Sequence, residues 1–346
     1  MNSPFFARND FYLCDVPVPK GYPQSQTHSG IALFDGKYYL TTSPYPGKKY
    51  PLYLIRIRSI IRKLSCGLLC NPTSGEVYEN PCLYLGKDTN GEPPVKFQPL
   101  TVKPLMDTPE AVYGFPAFNS DPEIFIENGL FYILNRTVYR TKKLKQGYES
   151  KTDIFLIKGS VLNERFKLES IKLIKQWERP FASPCLTKFR GKYLFTYLDT
   201  NSALDAKTFD GLYVQELDNI DELSSNMNYR KIQVHSHDML PWHMSLFSYK
   251  DTLYTIIACV KNGDKTKKIW QMLGEFDKNL SELTIYSTPL TDYNSYRGAA
   301  YVREDGMFVL YSTTLWEYLK GTKSVDGRDV ILAQDMFVDL LEKIRK

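Results

Sequence analysis

The feature that most constrains this chain is a hairpin written five times. In Thr27–Leu40 a polar head is followed by an apolar run, a turn at Asp35-Gly36 and a second apolar, aromatic run. Two such runs around a tight glycine turn read as a β-hairpin. The unit returns at Ser120–Leu134, Ser183–Phe195, Trp242–Ile256 and Tyr296–Leu310. A supersecondary unit that recurs through a chain signals a repeat architecture, because each copy buries its apolar face only against its neighbours.

Aligning the copies on their turns exposes a second regularity. Eight residues ahead of Gly36, Gly129, Gly191 and Asp251 stand His28, Asp121, Ser183 and His243. In the fifth copy an extra residue in Arg303–Gly306 brings Arg297 to that place. Equivalent strand heads converge if the units pack radially, so these five residues are candidates for a common site.

Further strand signals follow each hairpin. Asp153–Lys158, Gly211–Gln215 and Ile269–Leu273 are apolar runs that lead to polar turns at Asn163-Glu164, Asp218–Asp221 and Asp277–Asn279. Hairpin, third strand, turn and fourth strand make a four-stranded antiparallel blade. The chain therefore reads as all-β, a five-bladed β-propeller forming a single domain over 1–346. Its blades start near 27, 120, 182, 242 and 296, with heads roughly 54 to 93 residues apart, which implies inserted loops. Tyr50–Arg58 reads as a third strand of the first unit, and Ile60–Cys70 fits helix or strand. Glu79–Asp88 is a strand running into a turn, and the proline-rich stretch from Asn90 to Pro109 is a surface loop. Residues 1–26 hold a short strand candidate at Asp10–Cys14, placed to close the ring, since an open ring leaves unpaired edges. Asp335–Arg345 has helical periodicity and is expected to form a short C-terminal helix.

Composition narrows the function. A net charge of +5 over 346 residues is mild, and no basic patch with interleaved aromatics appears, so nucleic acid is not an expected partner. No apolar stretch is long enough to span a bilayer, and a membrane partner is not expected. Cys66 and Cys70 have no histidine at ligand spacing, and His235-Ser-His237 lacks a third ligand. No metal and no cofactor are expected, and the cysteines read as buried free thiols. Met1–Asp10 lacks a basic n-region and an apolar h-region. That predicts a cytoplasmic or virion-associated protein, secreted only where a leader has been removed.

The motifs Ser120-Asp-Pro-Glu-Ile and Ala182-Ser-Pro-Cys-Leu resemble blade openings of five-bladed glycoside hydrolases, the arabinanases, xylosidases and invertases. Glu79-Asn-Pro, Ser120-Asp-Pro, Ser183-Pro and Pro241-Trp-His together resemble hydrolase-like propellers encoded near phage tail genes. The resemblance spans nearly the whole chain and implies an axial pocket for an oligo- or polysaccharide. It also brings departures. The first-blade aspartate of the hydrolases is His28 here, and their third-blade general acid falls at Ala182. Asp121 matches the carboxylate that tunes that acid. Hydrolysis by the usual route needs two carboxylates, and the sequence offers one.

A histidine can serve as acid near neutral pH, so His243, Asp121 and His28 are the catalytic candidates. Arg297, Ser183 and Trp242 are the substrate-binding ones, Trp242 by stacking on a sugar ring. Glu178, Asp107, Asp238 and Asp292, on loops before strand heads, are the remaining sources of a second carboxylate. The expected function is carbohydrate recognition with or without cleavage. The alternative is a structural or receptor-binding component of a phage virion, with virion proteins as partners.

Overall fold

The computed structural model describes residues 5–6, 10–20, 22, 25–44, 79–87, 91–110, 115, 117–143, 148–177, 181–200, 209–224, 228–263, 268–291, 295–315 and 328–345. The expected strand at Tyr50–Arg58 and the ambiguous segment Ile60–Cys70 lie outside them. After the two-residue strand β1 (Tyr12–Leu13), the strands come in runs of four, each opened by one of the repeated hairpins. The first run is β2 (Gln26–Phe34), β3 (Lys37–Pro44), β4 (Cys82–Gly86) and β5 (Phe97–Pro99). The second is β6 (Ala117–Glu127), β7 (Leu130–Lys143), β8 (Tyr148–Leu162) and β9 (Arg165–Trp177). The third is β10 (Phe181–Phe189), β11 (Lys192–Thr200), β12 (Phe209–Leu217) and β13 (Arg230–His235), and the fourth is β14 (Met239–Tyr249), β15 (Thr252–Lys261), β16 (Ile269–Phe276) and β17 (Glu282–Pro289). The last run is β18 (Ser295–Val302), β19 (Met307–Leu315) and β20 (Arg328–Met336), followed by helix α1 (Phe337–Ile344).

Neighbours in each run pair antiparallel, so each is a meander. Among the described residues, the last run has three strands of its own. Its fourth is β1, whose Tyr12 and Leu13 pair with Leu332 and Ile331 of β20. The third and fourth runs depart from isolated blades. Their outer strands β13 and β17 join by a short parallel ladder, Gln233–His235 against Glu282–Thr284, which makes one eight-stranded sheet.

The five opening strands stand side by side, β2 next to β6, then β10, β14, β18 and back to β2. The core lies between the runs, in one apolar layer per junction. Tyr39, Leu83 and Leu85 meet Ile133 and Ile157, whereas Leu40 and Tyr84 on the other face meet Tyr311 and Leu332. Tyr132 and Leu156 meet Phe195 and Tyr197, and Leu198 and Leu212 meet Ile257 and Met272. Phe247 and Ile256 meet Phe308 and Leu310. Each sheet is thus buried on two faces, which is why β3 reads as a nearly continuous buried run rather than an alternating one. Helix α1 adds Phe337, Leu340, Leu341 and Ile344, one stripe at helical spacing, to the layer between the fourth and last runs. Among the described residues, twenty strands stand around an axis in largely antiparallel fours, the arrangement of a β-propeller. Among the described residues, no helix is long and apolar enough to cross a membrane.

Candidate functional site

Every opening strand breaks its pairing at the head. The register slips between Thr27 and Gly30, Ser120 and Glu123, Ala182 and Cys185, Pro241 and His243, and Ser295 and Gly298. A bulge leaves a residue unpaired and re-aims its side chain. In the first three copies that residue is His28, Asp121 or Ser183, each in the left-handed region at φ 57°, 54° and 52°. Backbone of this kind costs about 1–3 kcal/mol per non-glycine residue and persists only where the surroundings over-determine it. Three equivalent strained positions, all turned to the axis, mark the strand heads as a built feature.

The heads meet as a buried polar cluster centred on Asp121. Its Oδ1 lies 2.7 Å from His28 Nδ1 and 3.6 Å from His243 Nδ1. Its Oδ2 accepts from the Ser183 backbone N–H at 3.1 Å and lies 3.2 Å from the Arg136 guanidinium. Ser183 Oγ lies 3.0 Å from His243 Nδ1. His28 Nε2 faces Glu79 Oε2 at 3.1 Å, and Ser120 Oγ donates to the same oxygen at 2.5 Å.

A second cluster adjoins it. Arg297 donates to Glu123 Oε2 at 2.6 Å, and Ser245 Oγ donates to Glu123 Oε1 at 2.7 Å. Arg297 is fully enclosed, the largest side chain so buried among the described residues.

Four of the five aligned heads therefore come together as the register implies, and the fifth place is filled differently. Arg297 pairs with Glu123, and its neighbour Tyr296 packs against both histidines, ring centroids 5.0 Å from each. A bulge spans two residues, and only the coordinates tell which of the pair turns to the axis. Trp242, half-buried, stacks on His243 at 5.4 Å and meets Tyr296 edge-on. It also packs on the layer of Ala258, Val260 and Ile269. Asp107 and Asp238 are exposed, Asp107 accepting at its backbone oxygen from Asn119, while Glu178 and Asp292 lie outside the described residues. His235 is exposed and faces Glu282, and His237 is exposed too.

The sequence reading of a lone carboxylate needs correction. Glu79, Asp121 and Glu123 are all buried here. Glu123 was legible in principle, two residues past Asp121 on the same strand. Arg136 sits directly across β6 from Ser120, a register that the Asn128-Gly129 turn nearly fixes. Glu79 arrives from before β4, and no local pattern ties it to His28.

The environments set distinct charge states. Burial opposes ionisation of Asp121, but Arg136 and the two histidines hold its carboxyl well below the usual range. Burial also lowers His28, yet Asp121 and Glu79 outweigh it and raise the ring above its ordinary value. For His243 burial wins, with His28, Arg136 and Arg297 adding to it, and the ring stays neutral. A neutral histidine does not supply the proton that a general acid must give, which argues against the acid role expected of His243. Glu123 is pushed up to about 7 by burial, against the pull of Arg297 and Ser245. Cys14, Cys82, Cys185 and Cys259 are buried and free, their thiols raised by burial, Cys82 to about 12. His28, Asp121 and His243 each present one ligand-type atom within 4.8 Å of the others.

No protein-family model matches the sequence, and no curated protein matches it. Solved structures do match by shape. The RS223 β-xylosidase superposes with a TM-score of 0.56 at 12% identity over 90% of this chain and 92% of its own. An exo-1,5-α-L-arabinanase from a bovine ruminal metagenomic library gives 0.54 at 13% identity, covering 92% and 95%. The chain has the fold of these propellers. A Bacteroides ovatus protein described as xyloglucan PUL GH43B gives 0.58 at 12% identity, and 93% of this chain matches 54% of that longer one. At such identities the likeness establishes architecture alone.

Proposed function

We propose that this chain is a carbohydrate-recognising propeller that binds at the axial strand heads and does not cleave by the two-carboxylate route. One observation carries the reading. Each carboxylate of the two clusters at the strand heads is already engaged by protein groups, Glu79 by His28 and Ser120, Asp121 by Arg136, His28 and Ser183, and Glu123 by Arg297 and Ser245. A nucleophile or general acid needs an oxygen free to reach the glycosidic bond. The half-buried rings Trp242 and Tyr296 border this polar cluster, a pairing of apolar body and polar tip that suits a sugar face. The fold shared with xylosidase and arabinanase structures supports a saccharide as the ligand class. A virion role has no counterpart in the fold or the site.

The test is a glycan-binding panel run beside hydrolysis assays on the same glycans. Binding without turnover, weakened by Trp242→Ala and by Tyr296→Ala, is the expected result. Turnover that disappears in Glu123→Gln would replace the binding reading with an enzymatic one, whose acid is the carboxyl raised to about 7.

A further inference from the structure

We infer that the outer edge of β9 takes up an extended segment of a partner protein, acidic and apolar by turns, as an added strand. The inference does not rest on the carbohydrate reading. Among the described residues, the other four outermost strands are closed to such a partner. β5 has three residues and β1 has two, too short to template a further strand, while β13 and β17 pair with each other. Short edges and covered edges are the usual ways to keep a sheet from recruiting strands. β9 is thirteen residues long, and among the described residues no strand pairs with its outer side.

That side is apolar as well as open. The Phe166 N–H turns away from β8 and reaches the Leu100 carbonyl at 3.0 Å. Main-chain groups alternate along a ladder, and the register carries the same outward turn to Leu168, Ile171 and Leu173, opposite Gly159, Ile157 and Phe155. Their side chains share a face with Phe166 and extend the layer between the first two runs, to which Ile157 and Phe166 belong. β5 stops at Pro99, and the three stay 47%, 42% and 43% exposed. The residues that offer hydrogen bonds to a new strand thus also offer it a row of apolar contacts, the two requirements of strand addition.

Charge selects the partner. β9 carries Arg165, Lys167, Lys172 and Lys175 against Glu169 alone. A groove of about 900 Å³ opens beside its first residues, where Leu100, Val102 and Leu168 are joined by Lys20, Lys103 and Arg165. The one acid lining it, Glu164, already accepts from Gln98. Two copies of β9 side by side would oppose like charges, and edge lysines are a known guard against such self-pairing. A segment alternating carboxylates with apolar residues meets the basic groups with one set and the leucine row with the other.

The experiment titrates the full chain with a labelled peptide of alternating valine and glutamate, followed by fluorescence anisotropy. Its lysine counterpart and two N-methylated forms, one for each set of alternate amides, are the comparisons. The glutamate peptide should bind at least about tenfold tighter than the lysine one. Methylating the amides that face β9 should abolish binding, and methylating the other set should not. Ile171→Asp and Lys103→Glu should each weaken it, whereas Val338→Asp, at a similarly exposed apolar position on α1, should not. Hydrogen exchange is the second readout, with amides of Leu168–Leu173 protected when the peptide is added. Four results would overturn the inference. These are no binding of the glutamate peptide, equal binding of the lysine peptide, equal binding of both methylated forms (plain charge attraction), or a dimer of the free chain that Ile171→Asp dissociates (a second copy on the edge).

Discussion

The heads of the opening strands on the axis and the exposed rim formed by the turn ends of those same strands use the same chemistry to opposite effect. At the rim Lys188 meets Glu127 at 2.6 Å, with both side chains partly in water, and Tyr193 shares that carboxylate. On the axis Arg297 meets Glu123 at the same 2.6 Å, sealed from solvent. The rim pair joins the second and third runs at little desolvation cost and with little gain. The axial pair has lost its water entirely, and its attraction must offset several kcal/mol per ion. Geometry alone does not rank these contacts; burial does.

The comparison breaks most sharply at Arg297. Removing either partner of a buried pair strands a charge, so Arg297→Ala and Glu123→Ala should each destabilise by about 3–5 kcal/mol in denaturant melts. The double change Glu123→Leu with Arg297→Met should recover much of that loss, and a double variant as weak as the sum of the singles would refute the account. Next comes the apolar layer that the axial groups lean on. Ile133→Ala, in the layer between the first two runs, should cost about 2–5 kcal/mol through the cavity it leaves.

A smaller loss is expected at Gly298, where an added Cβ would lie 2.3 Å from Gln271 Nε2. That amide is buried and donates to Ser312, so Gly298→Ala should cost about 1–3 kcal/mol as the core shifts. Smallest is the rim. Lys188→Ala should change stability least of these variants, and added salt should shrink even that. The rim also has a pH signature. Lys188 and Tyr193 hold Glu127 below its ordinary value, so its contribution is complete above the unfolded carboxyl's pKa and disappears as the pH falls through the folded one. Acid melts of Glu127→Gln should therefore converge on wild type at low pH.

How much of this was legible in the sequence follows from the range of each signal. Hairpin turns are local, so the runs of four strands and the shared register of His28, Asp121, Ser183 and His243 could be read from residue order. The helix was legible too, expected over 335–345 and found at Phe337–Ile344, because its apolar stripe is a short-range pattern. What could not be read depends on atoms brought together from distant parts of the chain. The parallel join of β13 to β17 follows from how two sheets lean, not from either strand's composition. Glu79 reaches His28 from beyond a long stretch outside the described residues, and Arg297 finds Glu123 instead of the site its alignment suggested. A bulge displaces register by one residue, enough to exchange Arg297 for Tyr296.

The pairing of β1 with β20 has a temporal meaning. Tyr12 is synthesised well before Leu332 and must wait for it before its sheet can form. Until then the last run lacks its outermost strand. Closing so long a loop is entropically slow. Completion of this sheet is therefore gated by β20. Stalled products that end before Arg328 should stay open and be the first targets of chaperones and proteases.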